Sequence, residues 1–488
     1  MRNALLPTFL SLGLLIGTIQ SLHAEWHVGD PVVLRPDSTA RPLEDDSVAR
    51  SSHTPVEWNL DRTEMQPDPK VDRWWKSFGD TTLRSLIDRG ADANYNLLAA
   101  YKRIEAARSV LRQTQAGYFP QLSASAAYAR QGTAGKSIGA DVASTQSNLF
   151  SLGLSMSWEI DVFGRIAAQA KVDKANIKAS AADYDAVIVS LASNIAQTYL
   201  SLRMYQAELD VALRHLDSQR EILKIAETRF ECGLVSKLDV VQARMVVNST
   251  LSTLPGLYAL IDSSVNSLAL LLATTPDQLE FLRIPSPLPE LPVVGPAELN
   301  INLLRRRPDV AEAEQQLAAI AAQLGVAKKD FLPTLSLTGS IATEGQRAGD
   351  LFGSRSLAYS VAPTLSWTIF DGLARNYRVA EARANLEAET ESYNLTLHTA
   401  FREAANALAS FNAACIEADL DSRVAADSEE ALELSVDRYR QGLSDFTNVV
   451  DAQMSYLEYQ NSSIVAKGKA LNSLVSLYAA MGGGWDGE

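Results

Sequence analysis

The side chains that could carry chemistry form none of the patterns that an enzyme needs. The histidines show no metal-ligand spacing and lie at His23, His27, His53, His215 and His398. No nucleophile elbow, phosphate loop or pair of catalytic carboxylates is recognisable in the sequence. Aspartate and glutamate fall mostly on the polar faces of helical patterns, where solvated charge is the ordinary interpretation. The sequence therefore predicts a protein without an enzymatic activity, cofactor or metal.

A short turn motif occurs twice and carries the most distinctive polar residues. The segment Arg229–Leu234 recurs as Arg438–Leu443, at an offset of 209 residues. Because glycine adopts backbone angles that other residues avoid, each Gly-Leu pair predicts a tight reversal between two antiparallel helices. Asp239 follows the first turn, whereas Asn448 and Asp451 follow the second and share one helix face.

Polar side chains beside these turns could hold neighbouring helices together through hydrogen bonds or ion pairs. The candidates are Asp239, Arg438 and Tyr439. The alternative interpretation is that these residues are the solvated polar ends of a coiled coil.

The repeated motif belongs to a longer duplication. Trp158 matches Trp367 at the same offset of 209, and Phe119–Ser123 resembles Leu332–Ser336 at an offset of 213. This period is far too long for a solenoid unit. It predicts two copies of one large structural half.

The N-terminus has the pattern of a secretory signal peptide. Arg2 precedes the apolar run Ala4–Ile19, and Ala24 ends a plausible cleavage site. A membrane anchor is the alternative, but the run is short for a membrane span and contains proline and glycine. The predicted segments are the signal peptide 1–24, an extended arm 25–71, the first half 72–284, a proline-rich connector 285–296, the second half 297–481 and a tail 482–488.

Charge and cysteine content restrict the partners and the covalent framework. The formal net charge is −14, which argues against nucleic acid as a partner. Cys232 and Cys415 are the only cysteines, too few for a disulfide framework in so long a chain. In a coiled-coil register, Cys415 would lie roughly 39 Å along the helix from the level of Cys232, so we expect both thiols to be free.

Each half contains two segments with the alternation typical of barrel strands, at about 121–130, 149–161, 334–342 and 357–370. Apolar side chains alternate with serine, threonine, glycine and alanine, as in a strand with one lipid face and one watery face. Trp158 and Trp367, near the ends of the apolar faces, predict aromatic residues at a membrane interface. Half-buried strands of a soluble sandwich are the alternative, and the pattern alone does not explain Pro363 within a strand.

Long helical hairpins are predicted after the strands, at about 164–272 and 372–480. Apolar residues recur every seven positions in both, which predicts left-handed coiled coils. Shorter helices should lead into the strands at about 96–115 and 303–329. The first long helix would reach roughly 100 Å at 1.5 Å per residue, several times a membrane thickness.

Four strands cannot close a barrel, and open strand edges are not tolerated in lipid. Two chains would give eight strands with a nearly filled interior, whereas three give twelve and leave an aqueous bore. The predicted fold is a mixed α and β membrane protein. Each chain contributes four strands to a trimeric twelve-stranded β-barrel, which a coiled-coil α-barrel continues.

Four motifs in this order resemble the TolC-like outer-membrane factor family, in its OprM/NodT branch. They are Trp74–Asp80, Trp158–Arg165, Leu304–Val310 and Trp367–Gly372. Together they cover nearly the whole chain after the predicted signal peptide. Many members of this branch carry a lipid-modified N-terminal cysteine, which this sequence lacks.

The resemblance implies a passive outer-membrane exit duct for drugs or other toxic small molecules, with a long periplasmic extension. It implies a homotrimer in outer-membrane lipid, a periplasmic adaptor protein and an inner-membrane transporter of the RND type as partners. It further implies that the adaptor docks at two turns, formed by Gly233, Leu234, Ser236, Gly442, Leu443 and Ser444. Turn chemistry alone is the alternative. Asp451 aligns with an acidic ring that narrows the tunnel in this family, and Asn448 occupies a position that is often acidic in relatives.

Two other functions remain open at the level of sequence. The same fold could serve type I protein secretion, although the Trp-Glu-Ile-Asp and Arg-Pro-Asp motifs favour efflux. A periplasmic coiled-coil structural protein without a barrel is the alternative from a different class.

Overall fold

The computed structural model describes residues 74–132, 136–137, 140–141, 146–292, 306–353 and 356–483. The predicted signal peptide and N-terminal arm lie outside the described residues, as do the connector from 293 onward and the tail from 484 onward. Within the described part of the chain, helices and long strands follow one another in the same order twice.

In the first half, two short helices precede two long strands, and a pair of long antiparallel helices follows them. In chain order these elements are α1 (Thr81–Ala93), α2 (Tyr95–Ala116), β1 (Gln121–Gly132), β2 (Gln146–Ile160), α3 (Arg165–Glu231) and α4 (Lys237–Leu271). Short 3-10 turns flank this half at Trp74–Phe78 and Pro276–Arg283, and the two-residue strands Lys136–Ser137 and Ala140–Asp141 pair between β1 and β2.

Among the described residues, the second half repeats this plan from the helix that leads into the strands onward. Its elements are α5 (Pro308–Lys329), β3 (Thr334–Gly345), a 3-10 turn (Ala348–Phe352), β4 (Leu357–Ser366), α6 (Ala374–Arg440) and α7 (Phe446–Ala480). The long helices α3 and α6 both have 67 residues, and the return helices α4 and α7 both have 35. Helix α5 begins at Pro308, because proline favours the first helical position and restricts the residue before it. The predicted start near 303 lies outside the described residues.

The four long strands form one antiparallel sheet in the order β1-β2-β3-β4. Its central pair joins the two halves, with Trp158 of β2 opposite Leu337 of β3. Strands β1 and β4 are therefore the edges, each with one side that has no strand partner among the described residues. Pro363 lies on β4, and an edge strand is where a sheet tolerates proline.

Strand β4 is shorter than the sequence pattern predicts. It ends at Ser366 instead of continuing to about 370, so Trp367 lies beyond the strand. Ser366 pairs with Thr334, the first residue of β3, and the preceding Pro333 has no N–H with which to extend the ladder. The apolar alternation thus continues past the point at which a hydrogen-bonding partner exists. The other strands are observed at 121–132, 146–160 and 334–345.

Each long helix packs on its return helix, and α3 also packs on α7, which joins the two hairpins. Leu202, Leu209 and Leu216 of α3, seven residues apart, are all buried. Near the far end of the hairpins, Ile222 of α3 shares an apolar cluster with Phe446 of α7. Among the described helices, α4 alone is long and apolar enough to cross a membrane by composition, and it lies along α3 as its hairpin partner.

The Trp74–Asp80 motif packs against both hairpins. The Trp74 ring is fully buried and stacks on Tyr478 of α7, with centroids 5.5 Å apart. Asp80 caps the first turn of α1 and accepts a 2.5 Å hydrogen bond from the Tyr199 hydroxyl of α3. Burial and this hydrogen bond raise the pKa of Tyr199 to about 12, so the hydroxyl keeps its proton and remains a donor.

Equivalent side chains in the two halves tie each return helix to the helix that leads into the strands. Asn94, before α2, donates from Nδ2 to the carbonyl of Leu271, the last residue of α4, at 2.8 Å. Arg307, before α5, donates from Nη1 to the carbonyl of Ala480, the last residue of α7, at 2.9 Å. Both acceptors lie in a last helical turn, whose carbonyls have no partner within the helix.

We expect Arg307→Ala to lower the free energy of unfolding by about 2 kcal/mol. The Arg307 side chain is 9% exposed and pairs with Asp309 and Glu403 at 2.7 Å each, so alanine leaves two carboxylates and a helix-end carbonyl without this donor. Thermal unfolding in detergent, followed by far-UV circular dichroism, measures the change.

Arg402→Ala is the matched control, because Arg402 is 67% exposed and its contact with Glu403 is a long 4.0 Å. Its effect should stay within about 0.5 kcal/mol. Equal losses in the two variants would contradict a junction role for Arg307.

Candidate functional site

Both predicted turns end a long helix in the same way. Gly233 and Gly442 have φ angles of 71° and 76°, in the left-handed region that favours glycine. In each turn the leucine N–H donates to the carbonyl five residues earlier at 2.9 Å, the Schellman arrangement that satisfies carbonyls at a helix end. No heavy atom of the described residues lies within 4 Å of an added Cβ at either glycine. The backbone conformation, and not the available space, therefore requires glycine.

The return helices start differently in the two halves. Ser236 caps α4 by accepting from the N–H of Leu238 at 3.2 Å, and its hydroxyl donates to Asp239 Oδ1 at 2.8 Å. At the start of α7, Asn448 Nδ2 donates to the Ser444 hydroxyl at 2.8 Å. Both serines that were predicted to dock a partner therefore also fix the local turn.

Leucine side chains form an exposed apolar surface at these turns. Leu234 is 69% exposed and Leu443 is 65% exposed. Leu238, in the first turn of α4, is 63% exposed. Each of the two turns therefore presents at least one exposed leucine.

Tyr439, near the end of α6, joins the two hairpins. Its ring is buried and packs edge-on against Phe446 of α7, with centroids 5.1 Å apart. Its hydroxyl makes a long hydrogen bond of 3.4 Å to Asp239 Oδ2 of α4. Burial, followed by the charge of Asp239, raises the pKa of Tyr439, so the hydroxyl remains a donor.

Arg229 of α3 completes this arrangement, although the sequence reasoning did not select it. Its Nη1 donates to the carbonyls of Tyr439 and Arg440 at 2.9 and 3.2 Å, and its guanidinium carbon lies 4.7 Å from the Tyr439 ring centroid. These carbonyls end α6, where a cation is favoured. A signal existed in the sequence, because Arg229 opens the first copy of the turn motif at the position of Arg438 in the second.

The predicted contact of Arg438 does not form with any of the described residues. Its side chain lies on the exposed face of α6 and makes no hydrogen bond or ion pair with any residue that the structure describes. Asn448 and Asp451 are also exposed, and Asp451 lies on α7 next to the buried Val450. The structure therefore brings Tyr439 and Asp239 together and leaves the other three candidates on the surface of the chain.

A polar layer lies above the tips, in the seam between α3 and α7. His215 of α3 is buried, hydrogen bonds Gln460 of α7 at 2.9 Å and packs on the Tyr456 ring, with centroids 4.6 Å apart. Gln219 of α3 and Gln453 of α7 are buried too, and within the described part of the chain their side-chain nitrogens have no hydrogen-bond partner. Unpaired buried polar groups cost free energy, so this layer holds the hairpins together less strongly than the apolar cluster below it.

The two tryptophans at the strand ends act as structural links. Trp158 Nε1 donates to the carbonyl of Tyr118 at 2.9 Å, and Trp367 Nε1 donates to the carbonyl of Phe331 at 3.1 Å. In both halves the acceptor lies between the leading helix and the first strand. Each indole thus ties the end of one strand to the start of its neighbour, a contact that is compatible with a position at a membrane interface.

The chain matches a family described as "Outer membrane efflux protein" over residues 86–274 and 301–483. Nodulation protein T of Rhizobium leguminosarum bv. viciae is 30% identical over 86% of this chain and 85% of the relative. Outer membrane protein OprJ of Pseudomonas aeruginosa is 31% identical over 84% of this chain and 86% of the relative.

Solved structures agree with these matches. The outer-membrane channel OprN superposes with a TM-score of 0.78 at 30% identity, covering 88% of this chain and 96% of OprN. CusC superposes with a TM-score of 0.75 at 26% identity, covering 92% of this chain and 99% of CusC. The family resemblance that the motifs predicted is confirmed.

Protonation of His215 should destabilise the protein. Burial is the main cause that lowers the pKa of His215, and the charge of Arg214 acts in the same direction, whereas Gln460 and Glu429 oppose it. The unfolded chain then takes up a proton near pH 6.5, before the folded chain does. Stability is therefore full above about pH 6.5 and falls as the pH is lowered below that value.

Thermal midpoints measured at a series of pH values test this expectation. His215→Gln should reduce the loss at acidic pH, whereas His398→Gln, at an exposed position of α6, should keep the wild-type dependence. The expectation is wrong if His215→Gln and the wild type lose stability in parallel.

Proposed function

The chain belongs to the outer membrane efflux protein family, and from this membership and the geometry of its sheet and helical tips we propose that three copies form a passive exit duct. It is an outer-membrane component of an efflux system. In this proposal it conducts cargo without catalysing a reaction, and neither nucleotide nor proton coupling belongs to this chain.

The observation that carries the proposal is the four-stranded sheet with two open edges. Strands β1 and β4 have no outer partner among the described residues, and both are exposed along nearly their whole length. In lipid, unpaired backbone groups on such edges are not tolerated, so β1 of one copy must pair with β4 of the next. Three copies with cyclic symmetry close a ring of twelve strands and leave an aqueous bore.

The equal lengths of the two hairpins support a continuous helical tube below this barrel. Helices α3 and α6 each have 67 residues, which corresponds to roughly 100 Å at 1.5 Å per residue. Because both hairpins have the same length, a trimer would place six similar hairpins side by side with their turns at one level. We infer that the two halves arose by duplication and that the tube crosses the periplasm.

The relatives differ in the cargo that their names record. They include a pyoverdine export protein, a toluene efflux pump protein and a cation efflux system protein, at 29%, 31% and 28% identity to this chain. The alternating face of β2 carries small residues such as Ser151, Gly153 and Ser155, and its charged residue, Glu159, is paired with Arg165 at 2.7 Å. The proposed cargo is therefore small molecules as a class, selected by a periplasmic adaptor and an inner-membrane transporter of the RND type.

Asp451 is the proposed constriction of the closed duct. It is exposed on α7, about one helical turn beyond Asn448. Three copies around the axis would form a ring of carboxylates that attracts cations into the bore. Tyr439 and Asp239 would hold the two hairpins of each chain in the closed arrangement.

Single-channel recording in planar bilayers tests both the duct and its constriction. The wild type should conduct and be blocked by divalent cations, and Asp451→Asn should weaken that block by removing the carboxylate ring. Asp437→Asn is the control, because Asp437 is an exposed carboxylate near the same tip that pairs with Arg440 at 3.6 Å. Unchanged block in Asp451→Asn would remove it from the constriction, and a failure of the wild type to conduct would refute the duct itself.

The exposed leucines of the turns are the proposed docking surface for the adaptor. Leu234→Asp and Leu443→Asp should abolish export in intact cells, because each places a charge where an apolar partner must bind. The amount of trimer in the outer membrane should not change, since neither leucine is buried.

Leu234→Met and Leu443→Met are matched controls that keep the apolar contact, and they should export normally. Drug susceptibility and the level of unheated trimer on gels are the measurements. Normal export by both aspartate variants would assign these turns to helix reversal alone.

A further inference from the structure

Arg229 and Arg438 occupy equivalent positions, but of the two side chains only that of Arg229 has a partner among the described residues. Arg229 opens the first turn motif, and Arg438 opens the second, 209 residues later. Arg229 donates to the carbonyls of Tyr439 and Arg440. The guanidinium of Arg438 is exposed and has no partner in the ranges that the structure describes.

The partners of Arg229 also have equivalents, and these too are uncovered. Counting back 209 residues, Tyr439 corresponds to Phe230 and Arg440 corresponds to Glu231. Tyr439 is 4% exposed beneath Arg229, whereas the Phe230 ring is 43% exposed. A single chain therefore contains one complete contact, and it also contains a second arginine and a second helix end that do not meet each other.

Packing between the hairpins shows how Arg438 could reach the end of α3 in another copy. Within one chain, α3 of the first hairpin packs on α7 of the second. If equal hairpins alternate around a closed ring, α6 of one copy packs in the same way on α4 of the next. That arrangement brings Arg438 to the end of α3 in the neighbouring copy, just as Arg229 reaches the end of α6.

We propose that Arg438 of one copy lies over the Phe230 ring of the next copy and donates to the carbonyls of Phe230 and Glu231. The partner is a second copy of this chain, so the inference rests on the trimer of the proposed function. Arg438 then performs between subunits the task that Arg229 performs within one.

Charges at the tips favour this contact between copies. Arg229 approaches the end of a helix that carries Arg440, which has the same charge, whereas Arg438 would approach Glu231, which has the opposite charge. The aromatic partner changes as well, since Phe230 lacks the hydroxyl of Tyr439 and the equivalent of Asp239 is the neutral Asn448. Inside each chain, the Tyr439 hydroxyl bonds the Asp239 carboxylate. Between chains, that bond is absent, and the opposite charges of Arg438 and Glu231 attract each other instead.

Site-directed cross-linking of the full chain in outer membranes tests the proposal. In a Cys232→Ser, Cys415→Ser background, Arg438→Cys combined with Phe230→Cys should give covalent dimers and trimers with a short bifunctional thiol reagent. The control pair, Arg229→Cys with Tyr439→Cys, should cross-link only within the chain and run as a monomer. Each single-cysteine variant should also run as a monomer.

An amine-reactive cross-linker, applied to the same samples, separates the two hypotheses. Trimers captured by the amine reagent without thiol-linked oligomers would overturn the Arg438 contact and leave the proposed trimer standing. The absence of oligomers with both reagents would refute the trimer and with it the contact. Thiol-linked oligomers at equal yield in the single-cysteine variants would also overturn the contact.

If the cysteine variants do not reach the membrane, an exchange of charge between Arg438 and Glu231 tests the contact instead. Arg438→Glu should lower the temperature at which unheated trimers dissociate on gels, because a carboxylate cannot donate to the carbonyls of Phe230 and Glu231 and is repelled by the Glu231 side chain. Adding Glu231→Arg removes the repulsion and should recover part of the loss. Arg229→Glu combined with Glu231→Arg should show no such restoration. An unchanged dissociation temperature in Arg438→Glu would contradict the proposal.

Discussion

The unpaired edge of a β-sheet is the constraint on which the rest of this structure depends. One chain offers four antiparallel strands, and the outer sides of β1 and β4 have no partner within the described residues. Backbone N–H and C=O groups must be paired inside a membrane, so a single sheet of this width cannot be the functional unit. Strands β2 and β3 pair across the two halves, so in the proposed trimer each chain is one uninterrupted segment of the ring. In the proposed barrel, the backbone groups of the edge strands thus require partners from another copy, whatever the side chains are.

The same demand recurs at the ends of the helices, where the last carbonyls lack partners in the helix itself. Side-chain donors from other elements satisfy several of them, namely Asn94 at Leu271, Arg307 at Ala480 and Arg229 at Tyr439. The indoles of Trp158 and Trp367 do the same for the backbone between helix and strand. These donors lie far in sequence from their acceptors. They therefore fix how the helices and strands are arranged, and not whether each element forms.

Much of this architecture could be predicted from the sequence, because periodicity and self-similarity are local signals. Seven-residue repeats and two-residue alternation gave the long helices and three of the four strands to within a few residues, and the Gly-Leu pairs gave the turns. The end of β4 was missed, since it depends on where the partner strand starts and not on the alternation of β4 itself. The partner of Tyr439 was missed for a similar reason: Arg229 and Tyr439 are 210 residues apart, and no local pattern indicates which of two equivalent arginines faces the ring.

In the proposed ring there are two kinds of seam, one inside each chain and one between chains, and they differ in chemistry. The seam inside each chain contains Tyr439 with Asp239 and Arg229, as well as a polar layer around His215. The residues equivalent to Tyr439 and Asp239 are Phe230 and Asn448, which cannot form the same hydrogen bond. Contacts of a guanidinium with an aromatic ring or a helix end are individually weak in water. In the proposed trimer, many such contacts together would hold the tips closed. The proposed adaptor, by binding the exposed leucines, would then shift the tips without breaking the apolar core of the hairpins. In the proposed trimer the two kinds of seam are unequal, so opening should begin at one kind of seam and not at all six at once.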